Sequence, residues 1–454
     1  MKTAFFQSFE DSSDREETPF RLSMVQAELK KNSLSGYLVP RSDVHQGEYV
    51  AACDERLSWL TGFTGSAGIC IVGKDRAGIF VDGRYSIQAK KQTKSPFEVI
   101  HWDKKNFFQW IEKNIVKGKI GFDPWLHSHK EIFSLSEAFA NSGISFTPSD
   151  NLIDKVWLTR PAKTSNKAMK YPVELAGLSA KAKCQKIAEN IRLKKANSAV
   201  ITLPDSIAWL LNLRGNDVIH NPILHAFLII DGEGYVKIFS RNESLINCIS
   251  SLKDFVKVYP VENFETTLAE LTGSVLMDET TAPFAAVKIL QANGSEPIMG
   301  EDPIILPKAC KNPVEIRHAR ICHKRDAVHM CEFLSWLDAQ NENEFDEIDV
   351  VIELENFRRK DKNLKEISFD TIAASGPNAA LPHYRVNYSS NRTIKTGDVL
   401  LVDSGGQYLD GTTDITRTIA IGKQSKEVKN AFTRVLKGLI AISKLKFPSG
   451  TSGR

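Results

Sequence analysis

The chain has 454 residues, of which 42% are hydrophobic and 25% are charged, a composition typical of globular proteins with several cores. Its formal net charge is only +4, which excludes broad electrostatic binding to nucleic acid or to an anionic membrane. The seven cysteines lack CxxC spacing, no apolar run is long enough to span a bilayer, and the first residues lack the apolar region expected of a signal peptide. These features predict a cytoplasmic protein with reduced thiols.

The first part of the chain alternates helical patterns with short apolar strands. Residues 1–17 are acidic and polar after a brief apolar patch, which predicts a flexible N-terminus. A helical pattern follows over residues 18–31, and apolar strands separated by glycine-rich turns come next, for example at residues 77–82. This alternation predicts an α/β domain with a mostly parallel or mixed sheet, which we assign to residues 18–160.

A second unit of the same kind is assigned to residues 161–306. Its segment "DSIAWLLNLRGNDVIHNPILHAFLIID" resembles "DERLSWLTGFTGSAGICIVG" of the first unit. Each begins with polar residues and a Trp-Leu pair, passes through a glycine turn and continues into a β-rich apolar run. The two units are therefore predicted to be copies of one domain type.

A third unit is assigned to residues 307–454. A long helix begins near Asn312 and Pro313. Its apolar residues recur at helical spacing, at Ile316, Ala319, His323, Ala327, Met330, Leu334 and Leu337. Strands are predicted at residues 368–374, 397–403 and 414–421, and a helix at residues 426–446.

Two aspartates flank a turn in "LLVDSGGQYLDGTTDITRT". Asp403 ends a continuous apolar run, as in a strand covered on both faces, and Asp410-Gly411 predicts a hairpin turn that puts Asp414 on the same face. A two-residue turn would separate the two carboxylates by roughly 13 Å at about 3.4 Å per residue. That is too far for ligands of one metal pair, so a metal site requires a bulge or wider loop, expected at Gly405-Gly406.

Two interpretations remain open for these residues. Buried carboxylates need a cation or proton to offset desolvation, and two of them with a histidine suit Mn²⁺, Zn²⁺ or Co²⁺. Alternatively, Asp403 caps a turn and Asp414 pairs with Arg417. His383 follows a Ser-Gly-Pro-Asn turn. It is either a hydrogen-bond donor to a substrate carbonyl or oxyanion, or a loop histidine with local partners.

Two other groups of potential ligands have simpler explanations. The first is spread around the predicted long helix, at His318, Cys322, His323, His329 and Cys331. Helix packing and a solvent face account for it better than a metal site. The second is Asp43, His45 and Glu48 in "RSDVHQGEY", which we interpret as a loop held by local hydrogen bonds. The functional alternative is that the N-terminal domain overhangs a neighbouring cleft.

Several motifs together resemble aminopeptidase P, the cytosolic Xaa-Pro aminopeptidase family. They are "SGPNAALPHY", "VDSG", "DGTTDITRT" and "FPSGT", preceded by "RSDVHQGEY", "LSWLTGFTGSAG", "FVDGRYSIQA" and "IAWLLNLRG". The resemblance covers nearly the whole chain in order and is to the long, three-domain form. It implies two creatinase-like N-terminal α/β domains followed by a pita-bread catalytic domain.

The resemblance also implies a reaction and a set of site residues. Family members remove an N-terminal residue when proline follows it, they use two divalent metal ions, usually Mn²⁺, and they often form homodimers. By the family motif, Asp403 binds one ion, Asp414 bridges both, and His383 lies near the scissile bond. The alternative of a different class is a metal-free pita-bread protein that binds peptides or protein partners.

One departure from the family concerns the remaining metal ligands. The family uses two Asp, one His and two Glu, and its His and Glu ligands lie well after the "DGTTD" segment, beyond Arg454 of this chain. We therefore expect a truncated member in which residues 307–454 form the first half of the pita-bread domain. Such a half would expose apolar surface and hold an incomplete, inactive metal site.

Overall fold

The computed structural model describes residues 2–163, 165–340 and 344–453. Two six-stranded sheets are followed along the chain by two three-stranded sheets, with helices between the strands. Within the described ranges, no helix has the length and apolar character needed to cross a membrane. The predicted α/β class is confirmed.

The first unit folds around a six-stranded sheet of mixed direction. Its strands are β1 (Gly36–Pro40), β2 (Ile69–Gly73), β3 (Ala77–Val81), β4 (Phe97–His101), β5 (Gly118–Phe122) and β6 (Ile144–Pro148). Its helices are α1 (Thr18–Lys31), α2 (Arg56–Thr61), α3 (Ser86–Gln92), α4 (Lys104–Asn114), α5 (His129–Ala138) and α6 (Leu152–Val156). The strand order is β4-β3-β2-β1-β5-β6; β1, β2 and β3 are antiparallel neighbours, and the outer pairs are parallel.

Both faces of this sheet are buried at β1, β2 and β3, which explains why these three strands are continuously apolar. Tyr37 and Val39 of β1 belong to one core cluster and Leu38 belongs to another, because successive strand residues point to opposite faces. Helix α1 covers the first of these clusters through residues such as Val25 and Leu29. A sheet covered on both sides needs apolar residues at every strand position.

The second unit repeats the topology of the first. Its strands are β7 (Met169–Lys170), β8 (Ser198–Ile201), β9 (Leu213–Arg214), β10 (Ala226–Asp231), β11 (Val236–Ser240), β12 (Val256–Tyr259), β13 (Ser274–Asp278) and β14 (Glu296–Gly300). Its helices are α7 (Val173–Ala176), α8 (Ala180–Leu193), α9 (Pro204–Leu211), α10 (Leu245–Cys248), α11 (Phe264–Ala269), α12 (Phe284–Ala292) and α13 (Ile305–Ala309). The order β12-β11-β10-β8-β13-β14 has the same pattern of parallel and antiparallel pairs.

The two segments that look alike in sequence occupy equivalent places in the two units. Helix α2 ends at Gly62 with φ 77°, and helix α9 ends at Asn212 with φ 52°. Glycine and asparagine are the residues that best tolerate this left-handed C-cap conformation. In chain order, α2 lies between β1 and its antiparallel neighbour β2, and α9 lies between β8 and its antiparallel neighbour β10. The prediction of two copies of one domain type is therefore confirmed.

The third unit contains a long helix, two small sheets and a terminal helix. Its strands are β15 (Leu364–Ile367), β16 (Ile372–Ser375), β17 (Val399–Ser404), β18 (Gly406–Tyr408), β19 (Gly411–Thr412) and β20 (Ile415–Ala420). Its helices are α14 (Pro313–Asp338), α15 (Glu347–Arg358) and α16 (Lys426–Ser443). Asn312 and Glu315 form a capping box at the predicted start of α14.

The buried face of α14 differs from the predicted one. The buried residues are Cys322, Asp326, Met330, Phe333 and Leu337. His323, which we placed in the apolar stripe, is exposed, and its Nδ1 lies 2.8 Å from the carbonyl oxygen of Ala319. The prediction was wrong because apolar periodicity passes over Asp326, which is buried against Arg358.

The N-terminal residues lie along the third unit, in contrast to the predicted flexible segment. Phe9 is buried in the core of that unit, and Gln7 exchanges two hydrogen bonds with the backbone of Thr371. Ser13 then donates a hydrogen bond to the carbonyl of Gly62 in the first unit. The apolar patch near the N-terminus is too short for its own core, but it adds to one formed by residues far along the chain.

Helix α16 presents an apolar face that no described residue covers. None of its residues is buried. Its exposed large side chains include Phe432, Val435, Leu436, Leu439, Ile440 and Ile442. The expectation of exposed apolar surface in this unit agrees with that finding.

Candidate active site

Asp403 and Asp414 lie close together at an antiparallel strand pair. Strand β17 pairs with β20 so that Asp403 is opposite Thr416 and Ser404 is opposite Ile415. Asp414 comes two positions before Thr416, immediately before β20 begins, and its carboxylate is close enough to Asp403 to interact with it.

The predicted turn register, which separated the two carboxylates, was wrong. The small hairpin between them pairs Tyr408 with Gly411 and Gln407 with Thr412, so the turn residues are Leu409 and Asp410. This hairpin belongs to a different sheet from β17 and β20. It leaves the main strands free to pair directly, and it acts as the wider loop that the metal hypothesis required.

Gly405 forms the corner at which the chain changes sheet. A Cβ at this position would lie 2.0 Å from the carbonyl oxygen of Thr413 and 2.2 Å from Oγ of Ser368, so a side chain does not fit. The next residue, Gly406, donates its N–H to Oγ1 of Thr413 at 3.0 Å and accepts the N–H of Thr413 at 2.9 Å. The close approach therefore occurs at the predicted Gly405-Gly406 position.

Asp410, the third aspartate of the segment, has a structural partner. Arg325 of α14 donates two hydrogen bonds to its carboxylate, at 2.7 and 2.8 Å. These bonds hold the pKa of Asp410 below its ordinary value, although partial burial opposes the shift. Asp410 thus fastens the hairpin to the long helix and is separate from the candidate pair.

The electrostatics of Asp403 fit a bound cation. Burial raises the pKa of Asp403, and the nearby Asp414 carboxylate raises it further. The hydroxyl of Thr416 donates to Asp403 at 2.7 Å and His383 opposes the shift, but neither outweighs the other two effects. A divalent ion would relieve this repulsion. Across the described residues, no group of three or more His, Cys, Asp or Glu forms a metal site, so this pair supplies only part of a coordination sphere.

The loop that carries His383 is fastened to a buried glutamate. Glu347, at the start of α15, is 0% exposed and accepts hydrogen bonds from Ser375, Asn378 and Tyr384. These three residues belong to the motif "SGPNAALPHY". The polar residues of the motif thus anchor the loop, and its histidine remains exposed.

The sequence did not reveal the partner of His383, which comes from the first unit. The phenol oxygen of Tyr85 lies 2.6 Å from Nδ1 of His383, and the two rings meet edge to face with centroids 5.3 Å apart. Tyr85 belongs to the motif "FVDGRYSIQA" and is 298 positions away in the chain. That motif was the available signal, but it did not indicate a contact with the third unit.

A cleft of about 360 Å³ lies beside His383. The N-terminal segment contributes residues such as Glu10 and Asp11, the first unit contributes Arg84, and the third unit contributes His383 and Arg385. All of these residues belong to the same chain. The first unit therefore borders the cleft of its own third unit.

The "RSDVHQGEY" loop has the local hydrogen bonds that we favoured. Oδ1 of Asp43 accepts the backbone N–H groups of His45 and Gly47, at 2.9 and 3.3 Å. His45 also contacts the second unit, with its Nδ1 3.0 Å from the carbonyl oxygen of Thr202. Glu48 accepts a hydrogen bond from Ser66 within the first unit.

The cysteines and histidines of α14 remain dispersed. Cys322 is buried, which raises its thiol pKa to about 12. His329 pairs with Glu332 at 3.4 Å, and Cys331 is exposed. His318 lies on the same helix without joining a metal-binding group in the described part of the chain. Packing and solvent exposure account for this cluster.

His220 of the second unit forms a buried ionic contact with the third unit. Its Nδ1 lies 2.8 Å from Glu366 and its Nε2 3.2 Å from Asp370. Burial alone lowers the pKa of His220, but these two carboxylates raise it to about 9. The backbone φ of His220 is 63°, a left-handed value that asparagine also tolerates.

Replacing His220 with asparagine is expected to remove a pH-dependent part of the stability. Because the pKa of His220 is raised in the folded state, protonated His220 stabilises the fold. This stabilisation is fully present below the unfolded pKa of about 6.5 and is lost as pH rises through about 9. Melting temperatures measured from pH 6 to 10 should fall more steeply for the unsubstituted protein than for the variant. His329→Asn, which removes a surface pair, is the control, and parallel pH curves for His220→Asn would contradict the assignment.

Family models match almost the whole chain in three consecutive segments. Residues 21–156 and residues 159–315 each match a creatinase/prolidase N-terminal domain, and residues 317–454 match metallopeptidase family M24. The curated proteins most like this chain include a probable Xaa-Pro aminopeptidase P of Coccidioides posadasii, strain C735. That protein is 37% identical over 456 residues, which are 96% of this chain and 70% of the relative. This chain belongs to the Xaa-Pro aminopeptidase P family.

A second curated relative and a solved structure are also similar to this chain along almost its whole length. A probable Xaa-Pro aminopeptidase P of Ajellomyces dermatitidis is also 37% identical, over 96% of this chain and 75% of its own length. Among solved structures, an X-prolyl aminopeptidase from Caenorhabditis elegans matches with a TM-score of 0.90 and 29% identity, over 96% of this chain and 75% of that one. It is described as a cytosolic enzyme with a di-nuclear active site. The recognition of an aminopeptidase P-like protein with two creatinase-like domains is confirmed.

Proposed function

We propose that this protein is a metal-dependent Xaa-Pro aminopeptidase, which hydrolyses the bond between an N-terminal residue and a proline at the second position. Curated relatives carry that name, and a solved X-prolyl aminopeptidase shares the fold of this chain over 96% of its length. We further propose two divalent ions, Mn²⁺ in the cell, as the cofactors. The observation that carries the proposal is the interaction between the carboxylates of Asp403 and Asp414 beside His383.

The proposed roles follow from the chemistry of these three side chains. Asp403 would hold one ion, and Asp414, which is the more exposed carboxylate, would bridge both. When bound, such a metal pair activates a water molecule and polarises the scissile carbonyl. The imidazole of His383 would donate a hydrogen bond to the oxyanion of the tetrahedral intermediate. His383 also borders the cleft described above, whose lining residues include neither aspartate. Gly405 keeps the two aspartates in register.

The remaining assignments belong to the same proposal. The domains are residues 18–160, 161–306 and 307–454, with the first two bordering the third. The protein acts in the cytoplasm on peptides with proline at the second position and forms a homodimer. The balanced net charge of +4 gives it no general attraction for nucleic acid or anionic lipid.

The second candidate function is a metal-free binding protein. The exposed apolar face of α16 favours it, because exposed apolar patches mark interaction surfaces. Asp403 and Asp414 argue against it, since a binding protein gains nothing from a second carboxylate that raises the pKa of the first. Metal-dependent turnover separates the two functions.

The hydrolysis test uses protein isolated from its natural source, with its intact mass compared with the 50.7 kDa of this chain. With Mn²⁺ we expect release of the N-terminal arginine from Arg-Pro-Pro, no cleavage of Arg-Ala-Pro, and loss of activity after chelation that Mn²⁺ restores. The proline-specific result follows from the proposed substrate class, and the chelation result follows from metal activation of water. Tight peptide binding without turnover at any metal concentration would contradict the enzyme and favour the binding protein.

A further inference from the structure

A row of hydrogen bonds runs from a surface glutamate of the first unit to His383. Oγ of Ser66 donates to Oε1 of Glu48 at 3.0 Å. The same oxygen lies 2.8 Å from the phenol oxygen of Tyr85, which lies 2.6 Å from Nδ1 of His383. Glu48, Ser66 and Tyr85 come from three motifs that the metal chemistry leaves without a role.

The direction of every hydrogen bond in this row follows from its first member, Glu48. A carboxylate only accepts hydrogen bonds, so the single hydroxyl hydrogen of Ser66 points to Oε1 of Glu48. Ser66 must then accept from Tyr85, whose one hydrogen is used in that bond. The oxygen of Tyr85 is left to accept from His383, which requires a proton on Nδ1 of the imidazole.

The tyrosine is built in rigidly. Tyr85 is 1% exposed, and its ring meets the ring of Phe63 edge to face at 5.5 Å. A Cβ on Gly65 would lie 2.1 Å from the Phe63 ring and 2.8 Å from the Tyr85 ring, so the glycine leaves room for both. Packing of this kind holds the hydroxyl of Tyr85 in one place. The side chain therefore loses little further conformational entropy when it forms its hydrogen bond with His383.

We propose that Tyr85, held by Ser66 and Glu48, is a positioning residue that fixes the resting proton of His383 on Nδ1 and leaves Nε2 as the working nitrogen in the cleft. Among the described residues Nε2 has no hydrogen-bond partner. In the neutral ring Nε2 is therefore an acceptor, and it becomes a donor only when the imidazole is cationic. This inference rests on the proposed function and adds a condition to it, because His383 donates to an oxyanion only after Nε2 has taken up a proton.

The first test reads the tautomer directly and needs no substrate. In protein labelled with ¹⁵N in its histidine rings, His383→Gln identifies the His383 signals among the ten histidines. For the neutral imidazole, we expect a protonated Nδ1 and an unprotonated Nε2 in the unsubstituted protein. In Glu48→Gln the side-chain amide can donate a hydrogen bond to Ser66. Ser66 can then donate to Tyr85 and Tyr85 to Nδ1 of His383, so the proton of the imidazole should shift towards Nε2. An Nε2-protonated ring in the unsubstituted protein would overturn the inference.

The second test reads the kinetic consequence. Tyr85→Phe removes only the hydroxyl, and we expect a fall in kcat of about 10- to 100-fold, as for other outer partners of site residues, with KM changed less than about twofold. Tyr37→Phe, another buried tyrosine of the first unit, is the control, and its kcat should be unchanged. Equal effects of the two variants on kcat would also overturn the inference. Because the tautomer is read without turnover, a protein that hydrolyses no peptide would count against the proposed function alone.

Discussion

In protein that hydrolyses proline-second peptides in the test above, replacing Asp414 with asparagine is expected to lower kcat/KM by about a thousand-fold or more. The variant keeps the size and much of the hydrogen bonding of the side chain, but it removes the charge that would bridge two cations. Loss of metal activation removes several kcal/mol of transition-state stabilisation, and each 1.36 kcal/mol is about tenfold in rate. Steady-state kinetics at saturating Mn²⁺ and the metal content of the purified variant measure the two parts of this effect.

The matched control for this variant is Asp410→Asn. Asp410 lies in the same connection between strands, but its carboxylate is bound by Arg325 on α14. We expect it to keep its metal and most of its activity while losing some thermal stability. If Asp414→Asn retained full activity, or if both variants lost metal equally, the bridging role of Asp414 would be refuted.

Replacing Asp326 with alanine is expected to lower the free energy of unfolding by about 3–5 kcal/mol, the usual cost of breaking a buried ion pair. Asp326 is 3% exposed and accepts hydrogen bonds from Arg358 at 2.8 Å and from Tyr408 at 2.7 Å. Arg358 is 1% exposed, so its charge would be left buried without a partner. Denaturant unfolding at constant metal concentration measures the loss.

Two comparisons test whether the loss of stability in Asp326→Ala comes from the buried, unpaired charge of Arg358. Glu332→Ala removes an exposed partner of Lys360, at 3.4 Å, and should change stability by less than about 0.5 kcal/mol. The double variant Asp326→Leu with Arg358→Met removes both charges and should recover much of the stability, because an apolar replacement of a buried pair is often neutral. This explanation would be contradicted if the double variant lost as much free energy of unfolding as the two single variants lose together.

The same pair gives a pH dependence with the opposite sign from that of His220. Burial alone would raise the pKa of Asp326, but Arg358 and Tyr408 hold it below the ordinary value. Its stabilisation is therefore present above the unfolded pKa of about 3.9 and is lost as pH falls through the lower folded value. The difference in stability between the unsubstituted protein and Asp326→Ala should shrink only in strong acid.

The candidate site shows where sequence reasoning succeeded and where it failed. The site roles of Asp403, Asp414 and His383 stay predictions, whereas the glycine pair indicated the place of the close approach. The register between the aspartates was predicted wrongly, because Asp410-Gly411 is a strong local turn signal. A turn one residue earlier satisfies both the Arg325 contact and the pairing of β17 with β20. Tertiary contacts outweighed a local preference of modest energy.

The buried polar residues were the hardest to predict. Apolar periodicity does not predict that charged or titratable residues are buried, as Asp326, Glu347 and His220 are. Each of the three is stabilised by a partner from another part of the chain. Such partners are invisible in a local window of sequence. The same holds for Phe9, which reads as part of a polar tail until the core that receives it is known.

By itself, the amino-acid sequence determined the α/β class, the repetition of the first domain, the start of α14 and the family to which the protein belongs. These features depend on local patterns: the alternation of strands and helices, a capping sequence, and motifs read in order. Only the tertiary structure decided that the first unit meets His383 through Tyr85, that Asp403 and Asp414 come close enough for their carboxylates to interact, and that no residue of α16 is buried. Those contacts join residues far apart in the chain, and their existence depends on how whole units pack, which no local preference encodes.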